Sequence, residues 1–425
     1  MKLLIAAGIP LLILIIPASL IPLEGLTVVE HRLIAIFFMA ALFWILEPIP
    51  VFATSVLIIV LELLMVSDKS FILFQAAAND TDFGNVLNYR EIMATFASPI
   101  ILLFLGGFFL AMAATKYRLD QNLARSLLKP FGKNPRYVMM GLMIATALFS
   151  MFMSNTATTA MMLAILTPVL GVFPQEDRGR IAFALSIPVA ANIGGIGTPI
   201  GTPPNVIALK YLTGEQVIGF GTWMAFAVPF VILLLLFGWW LLLKIFPPAI
   251  AQIELEIKGR WLKNWKALTV YITFAGTILL WLLDAVHGMN SYIVAMIPVA
   301  VFTATRIITS EDLKRMSWDV LWLVAGGIAL GMGLEQSGLA QRLVENIPFG
   351  EFSPWVVLIF AMLVTISMAN FMSHTAAANL LLPVMAALGA GMPSLTAIGG
   401  SQALILGVTF SASLAMALPI STPPN

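Results

Sequence analysis

Cysteine is absent from the 425 residues, which excludes a disulfide scaffold and any thiolate metal site. Charge is scarce as well. Asp, Glu, Lys and Arg make up 10% of the chain and balance to a net +1, so there is no basic footprint for nucleic acid. Three scattered histidines form no HExxH or other paired motif, which removes the zinc-enzyme readings. What fills the chain instead is hydrophobic: 60% of residues, far outside the range of soluble domains. These scarcities predict an all-α polytopic membrane protein, with lipid as its immediate surroundings.

Apolar runs of spanning length, roughly 17 to 25 residues, lie at 3–22, 32–48, 50–66, 95–115, 181–209, 222–246, 268–286, 291–309, 318–336 and 400–420, ten in all. Two further apolar blocks, 137–172 and 354–391, are too short for two spans of about 20 residues each plus a turn, and each carries a polar triplet near its midpoint. They are expected to be re-entrant helical hairpins. With the N-terminus on the cytoplasmic side, 17 of the 22 Lys and Arg residues fall inside, as the positive-inside rule requires. That bias supports the orientation, not the hairpins, whose shortness is the argument for them. The first run, led by Lys2, is expected to be the N-terminal transmembrane helix, with a cleaved signal peptide as the alternative. Ser67 to Tyr89 is expected to be an external loop, and Lys116 to Arg136 an amphipathic interfacial helix.

The polar triplets belong to a repeat. GTPPN at 201–205 returns as STPPN at 421–425; Gly106-Gly107 returns as Gly326-Gly327; Ser154-x-Thr156 returns as Ser373-x-Thr375. The offsets are 220, 220 and 219, which indicates a duplicated unit. Five crossings separate the two Gly-Gly helices, an odd number, so the copies must point in opposite directions. The chain is therefore divided into an N-terminal helix (1–30), a first inverted repeat (31–246, hairpin 137–172, broken helix 181–213), a cytoplasmic linker (247–266) and a second inverted repeat (267–425, hairpin 354–391, broken helix 400–425). Pro-Pro cannot continue a helix, and Gly194, Gly195, Gly197 and Gly201 precede it. Residues 197–205 are expected to be an unwound break lining a cavity. By analogy with the first copy, the repeat further predicts roughly 40 more C-terminal residues, including one last span.

The two tips and two breaks bring together hydroxyls, amides, free N–H groups and carbonyls, without one Asp, Glu, Lys or Arg. Helix N-termini favour anions such as carboxylates, and loop carbonyls, hydroxyls and Asn oxygens suit alkali cations. An anionic substrate with a co-bound cation fits this set better than a cationic substrate. Elsewhere, Glu47 and Glu335 lie at span ends as solvated or capping residues, the Met residues read as packing, and Trp261, Trp265, Trp318 and Trp322 as interfacial belts. Glu62 reads as a buried carboxyl and a candidate proton site outside the repeat.

Paired SNT-type triplets, each followed by a TPPN break in inverted copies, resemble the divalent anion/sodium symporter (DASS) family over nearly the whole chain. The resemblance implies an elevator-type homodimer in the cytoplasmic (inner) membrane and di- or tricarboxylate substrates of the succinate, malate, fumarate and citrate class. It implies substrate binding by Ser154, Asn155, Thr156, Ser373, His374, Thr375, Thr202, Pro203, Thr422 and Pro423. A first sodium site would comprise Ser150, Ser154, Asn155 and Gly201, and a second Ala369, Met372, His374 and Ser421. His374 departs from the family pattern, in which that position is Asn. Histidine is a poor alkali-cation ligand and can itself carry positive charge. One sodium ion, no organic cofactor, and either symport or sodium-independent exchange are expected. An arsenite or ion antiporter is the alternative within transport; an intramembrane enzyme is disfavoured by the lack of paired carboxylates or a Ser/His set, and a channel by the proline breaks.

Overall fold

A computed structural model describes residues 1–75, 82–253, 261–346, 352–419 and 421–425. Parts of the expected external loop (76–81) and linker (254–260), and Ile420 in the expected second broken helix, lie outside the described residues. The first half of the chain forms α1 (Lys2–Ile15), α2 (Val28–Leu46), α3 (Val51–Met65), α4 (Tyr89–Ala94), α5 (Pro99–Lys116), α6 (Leu119–Leu128), α7 (Pro135–Ser150), α8 (Asn155–Leu170), α9 (Gly179–Gly195) and α10 (Pro203–Leu209). The second half forms α11 (Phe220–Ile245), α12 (Trp265–Leu282), α13 (Asp284–His287), α14 (Ser291–Ala304), α15 (Ser310–Lys314), α16 (Trp318–Gln336), α17 (Leu339–Glu345), α18 (Pro354–Phe371), α19 (His374–Gly391) and α20 (Gly400–Ser413). Among the described residues the only extended pairing is an isolated bridge between Ser67 and Leu87.

Helix starts follow local chemistry. Asn134, Ser353, Asn264 and Asn290 cap α7, α18, α12 and α14 by accepting a backbone N–H, and Pro135 and Pro354 occupy the first turn, where a missing N–H costs nothing. At α2 a capping box joins Thr27 and Glu30. The same chemistry moves the expected break. Pro203 and Pro204 open α10 instead of lying in the unwound stretch, which is 196–202 and not 197–205. The expected amphipathic helix at 116–136 is reduced to α6 and a short 3-10 turn, bounded by Arg118 and Gly132 at positive φ.

Seven helices among the described residues are long and apolar enough to cross a membrane, while α1, α3, α8 and α14 are apolar but shorter. The ten expected runs rest on apolarity alone. The helices inside them end at chain breakers: run 181–209 is divided between α9 and α10, and run 400–420 ends as helix at Ser413. The arrangement is that of a multi-pass membrane protein. Helix starts recur along it at one constant interval: Pro99, Pro135 and Asn155, which open α5, α7 and α8, are matched in turn by Trp318, Pro354 and His374, which open α16, α18 and α19.

The chain divides into two compact units. Unit 1 holds 1–101, 207–217 and 317–421; unit 2 holds 102–206, 218–316 and 422–425. In unit 1, α16 packs against α3 and α19. At Gly326 a Cβ would lie 2.6 Å from the Ser55 Cα, so glycine is what permits the approach of α3. In unit 2, α9 packs against α7, α8 and α11; a Cβ at Gly194 would meet the Ala147 carbonyl oxygen at 2.5 Å. Inside a bilayer, lipid tails are as apolar as the helices, so such close small-residue contacts and interhelical hydrogen bonds hold helices together.

Candidate functional site

In unit 2 the first triplet sits where α7 ends and α8 begins. Ser154 caps α8, its Oγ accepting the Ala157 N–H at 3.2 Å. Ser154 and Thr156 are exposed and Asn155 is buried. The Asn155 side chain points back into the unit. Its Oδ1 accepts from Ser150 Oγ at 2.6 Å, and that hydroxyl also lies 2.7 Å from the Ala191 carbonyl, sharing one hydrogen between two acceptors. Around it the break folds tightly. A Cβ at Gly195 would stand 2.7 Å from Asn155 Oδ1 and 3.2 Å from the Gly201 carbonyl oxygen. A Cβ at Gly201 would stand 2.9 Å from the Ser150 carbonyl oxygen and closer still to that of Gly195. Asn155 Oδ1 and the Gly201 carbonyl oxygen thus lie against Gly195, and the Ser150 and Gly195 carbonyl oxygens against Gly201, all four of them neutral. Among the described residues no three His, Asp or Glu side chains gather to hold a metal ion. The donor set is one of carbonyls and an amide, which fits a monovalent alkali cation.

The rest of the break is tied down without charge. Asn205 Nδ2 donates to the carbonyls of Gly195 at 3.0 Å and Thr198 at 2.8 Å, Thr198 Oγ1 bonds the Met151 carbonyl, and Trp223 Nε1 donates to Ile196 at 3.0 Å. Thr202 is buried and Pro203 half-buried at the head of α10. Thr422 and Pro423, by contrast with Ser421, belong to unit 2. A relay reaches their segment: Asn155 Nδ2 donates to Asn192 Oδ1 at 3.2 Å, and Asn192 Nδ2 to Asn425 Oδ1 at 2.9 Å. Asn192 joins the first triplet to the last residue of the second TPPN, yet it lies in no repeated motif. Its only sequence mark is an amide among the otherwise apolar residues 187–195.

In unit 1 the second triplet repeats the cap and changes the rest. Ser373 Oγ accepts the Ala376 N–H at 3.2 Å at the head of α19, as Ser154 does on α8. His374, 5% exposed, and Thr375 are buried. The His374 backbone N–H donates to the Ser421 carbonyl at 3.2 Å, and its ring Nε2 lies 2.6 Å from the Ala415 carbonyl. A carbonyl only accepts, so Nε2 carries the proton of that bond. Ala369 and Met372 are buried beside the tip. Two carbonyls of the second break are thus already occupied by N–H donors from one residue. The second tip therefore presents an imidazole N–H where the first presents the amide oxygen of Asn155, and an N–H does not ligate a cation.

The citrate transporter family matches residues 41–399, most of the chain. The chain belongs to that family. Relatives of this family member include the sodium-dependent dicarboxylate transporter SdcS of Staphylococcus saprophyticus, 30% identical over 92% of this chain and 78% of that protein. The inorganic phosphate transporter PHO87 of Saccharomyces cerevisiae is 30% identical over 93% of this chain and 42% of its own length. An uncharacterized transporter of Schizosaccharomyces pombe is 30% identical over 93% of the chain and 45% of its own length. The chain therefore spans less than half the length of the two yeast relatives.

Proposed function

We propose that this family member carries di- or tricarboxylate anions across the cytoplasmic membrane by secondary transport, driven by one sodium ion. The observation that carries the reading is the asymmetry of the two tips. The first sets the amide oxygen of Asn155 among the neutral oxygens of Ser150, Gly195 and Gly201, and the second presents the ring N–H of His374 in its place. Sodium is proposed at the first, with Ser154 completing it. Ser154, Asn155 and Thr156 with Thr202 and Pro203, and Ser373, His374 and Thr375 with Thr422 and Pro423, are the proposed substrate-binding residues. Each triplet opens the N-terminus of a helix of 16 or 18 residues, where free N–H groups and the helix dipole favour an anion.

Duplication is supported by the constant interval between matching helix starts, and inversion is part of the same proposal, resting on the odd number of expected crossings between the copies. Homodimerisation and elevator motion belong to the same proposal and rest on the family resemblance. The relatives named for dicarboxylate and for inorganic phosphate transport both handle anions, which supports the charge of the substrate more than its identity.

The test is uptake of radiolabelled succinate into proteoliposomes, with an inward sodium gradient or with unlabelled succinate inside and no sodium. Sodium-driven accumulation is expected. Uptake that needs internal succinate and ignores sodium would establish exchange, the reading that the His374 N–H bonds favour as second choice. Absence of uptake in both modes would refute the carboxylate assignment.

A further inference from the structure

One acidic side chain in unit 1 has no part in the tips. Glu62 on α3 is 0% exposed, and neither carboxyl oxygen has a hydrogen-bond partner among the described residues. An ionised carboxylate in that position would forfeit all its solvation, a cost so large that such groups pair or take up a proton. Its surroundings are built to hold it there. On α16, a Cβ at Gly333 would lie 2.8 Å from Glu62 Oε1, while a Cβ at Gly331 would meet the Tyr211 hydroxyl and lie 3.0 Å from Lys210 Nζ. Glycine at both positions makes room against α16 for the Glu62 carboxyl and for the Tyr211 and Lys210 side chains.

Lys210 and Tyr211 also face a cavity that Glu62 itself does not line. Lys210, Tyr211, Gly331 and Glu335 line a cavity of about 1310 Å³ within unit 1. Lys210 and Glu62 lie near enough to attract each other, and Glu335 attracts Lys210 from the cavity side. Lys210 Nζ nevertheless donates to the Ile328 carbonyl at 2.7 Å, not to Glu62, and the Tyr211 hydroxyl is buried without a partner among the described residues. The other charged or titratable groups on the helices packed against α3 are engaged elsewhere or face outward. On α2, Glu30 pairs with Arg342, His31 bonds the Ile13 carbonyl, and Arg32 donates to Met65 and Phe74. On α4, Tyr89 and Arg90 contact each other and Glu91 accepts from Gln336. On α16, Asp319 and Glu335 are exposed.

We propose that Glu62 is a proton-binding site loaded from this cavity past Lys210, and that a proton moves with substrate through the carrier. The proton comes from water in the cavity and returns to water when Glu62 ionises. In the described state Lys210 serves Ile328 and Glu62 is protonated. When Lys210 turns to Glu62, its ammonium stabilises the carboxylate and the proton leaves. The coupling rests on the transport reading above, whereas the proton site itself does not.

Two measurements separate them. Infrared spectra of the purified protein in lipid, recorded across a pH titration, are expected to show a protonated-carboxyl band that is lost in Glu62→Gln and persists to higher pH in Lys210→Gln. Superimposable spectra of Glu62→Gln and the parent would overturn the site. In proteoliposomes holding pyranine, an imposed succinate gradient is expected to change internal pH, and Glu62→Gln to reduce that change to the level of protein-free vesicles while labelled succinate still enters. An equal pH change in both proteins would overturn the coupled proton. Loss of succinate entry in the parent itself would refute the carboxylate reading and leave the infrared result to decide the site.

Discussion

Replacing His374 by asparagine tests the asymmetry of the two tips most directly. The ring Nε2–H serves the Ala415 carbonyl at 2.6 Å, in a position only 5% exposed. Asparagine is shorter, so the carbonyl loses its donor, and a buried acceptor left unmade costs about 1–3 kcal/mol. The backbone N–H bond to Ser421 survives the change, which confines the damage to that one carbonyl. A sodium ion can take the freed carbonyl together with the new side-chain oxygen. Bound at about 100 times its Kd, a ligand returns about 2.7 kcal/mol, enough to offset the loss. The His374→Asn protein is therefore expected to melt below the parent in choline chloride and to recover as sodium replaces choline at constant ionic strength. Its uptake is expected to depend more steeply on sodium than the parent's. A melting temperature that responds to sodium no more than the parent's would refute the claim that His374 stands in place of an ion.

Three further outcomes follow from the same geometry. Gly201→Ala drives a Cβ into backbone atoms of Gly195 and Ser150, which cannot swing aside as a side chain would; overpacking of this kind costs about 1–3 kcal/mol, or roughly a 5- to 150-fold loss in sodium affinity, read by titrating the sodium dependence of uptake. Asn192→Ala removes the acceptor of Asn155 Nδ2; a loss of about 1–3 kcal/mol in thermal stability is expected, and unchanged melting would show that the relay holds nothing. Asp120 lies outside the spans on α6, where burial pushes its carboxyl above the usual range against hydrogen bonds from Gln121 and Thr115. With the folded pKa raised, its favourable contribution is complete below the unfolded value and lost as pH rises through the folded one. Asp120→Asn is expected to melt higher than the parent at pH 8 and by a smaller margin at pH 5, and a margin independent of pH would contradict this.

Local chemistry made much of this legible in the sequence. The polar triplets at 154–156 and 373–375 marked where one helix gives way to the next, the paired TPPN segments announced breaks, and motif matches at a near-constant offset announced the recurring helices. Boundaries were less legible where one residue type has two uses. Pro203 reads as a breaker, but at a first turn it is a starter, which displaced the break. Asn192 escaped because a single amide in an apolar stretch has no pattern until folding sets it between Asn155 and Asn425. Glu62 could be singled out as buried, but its relation to Lys210 and to Gly331 and Gly333 joins three segments far apart in the chain, and no periodicity carries that. Likewise, only the fold reveals that His374 commits two N–H groups to backbone carbonyls.

The interleaving of the units also sets a schedule for synthesis. Unit 1 draws on 1–101 and 207–217 and then waits for 317–421. The helix that buries Glu62 is complete only at Gln336, long after α3 has ended at Met65. At about 5–20 residues per second, elongation from one to the other takes roughly 14 to 54 s. Throughout that interval α3 is a nascent span with an acidic residue and no α16 to cover it. An ionised residue at the centre of a span costs up to about 2.5–3.5 kcal/mol on insertion, so the apolar residues of α3 must hold it in the bilayer unaided. Ribosomes halted before Gln336 would leave that carboxyl without the helix that encloses it.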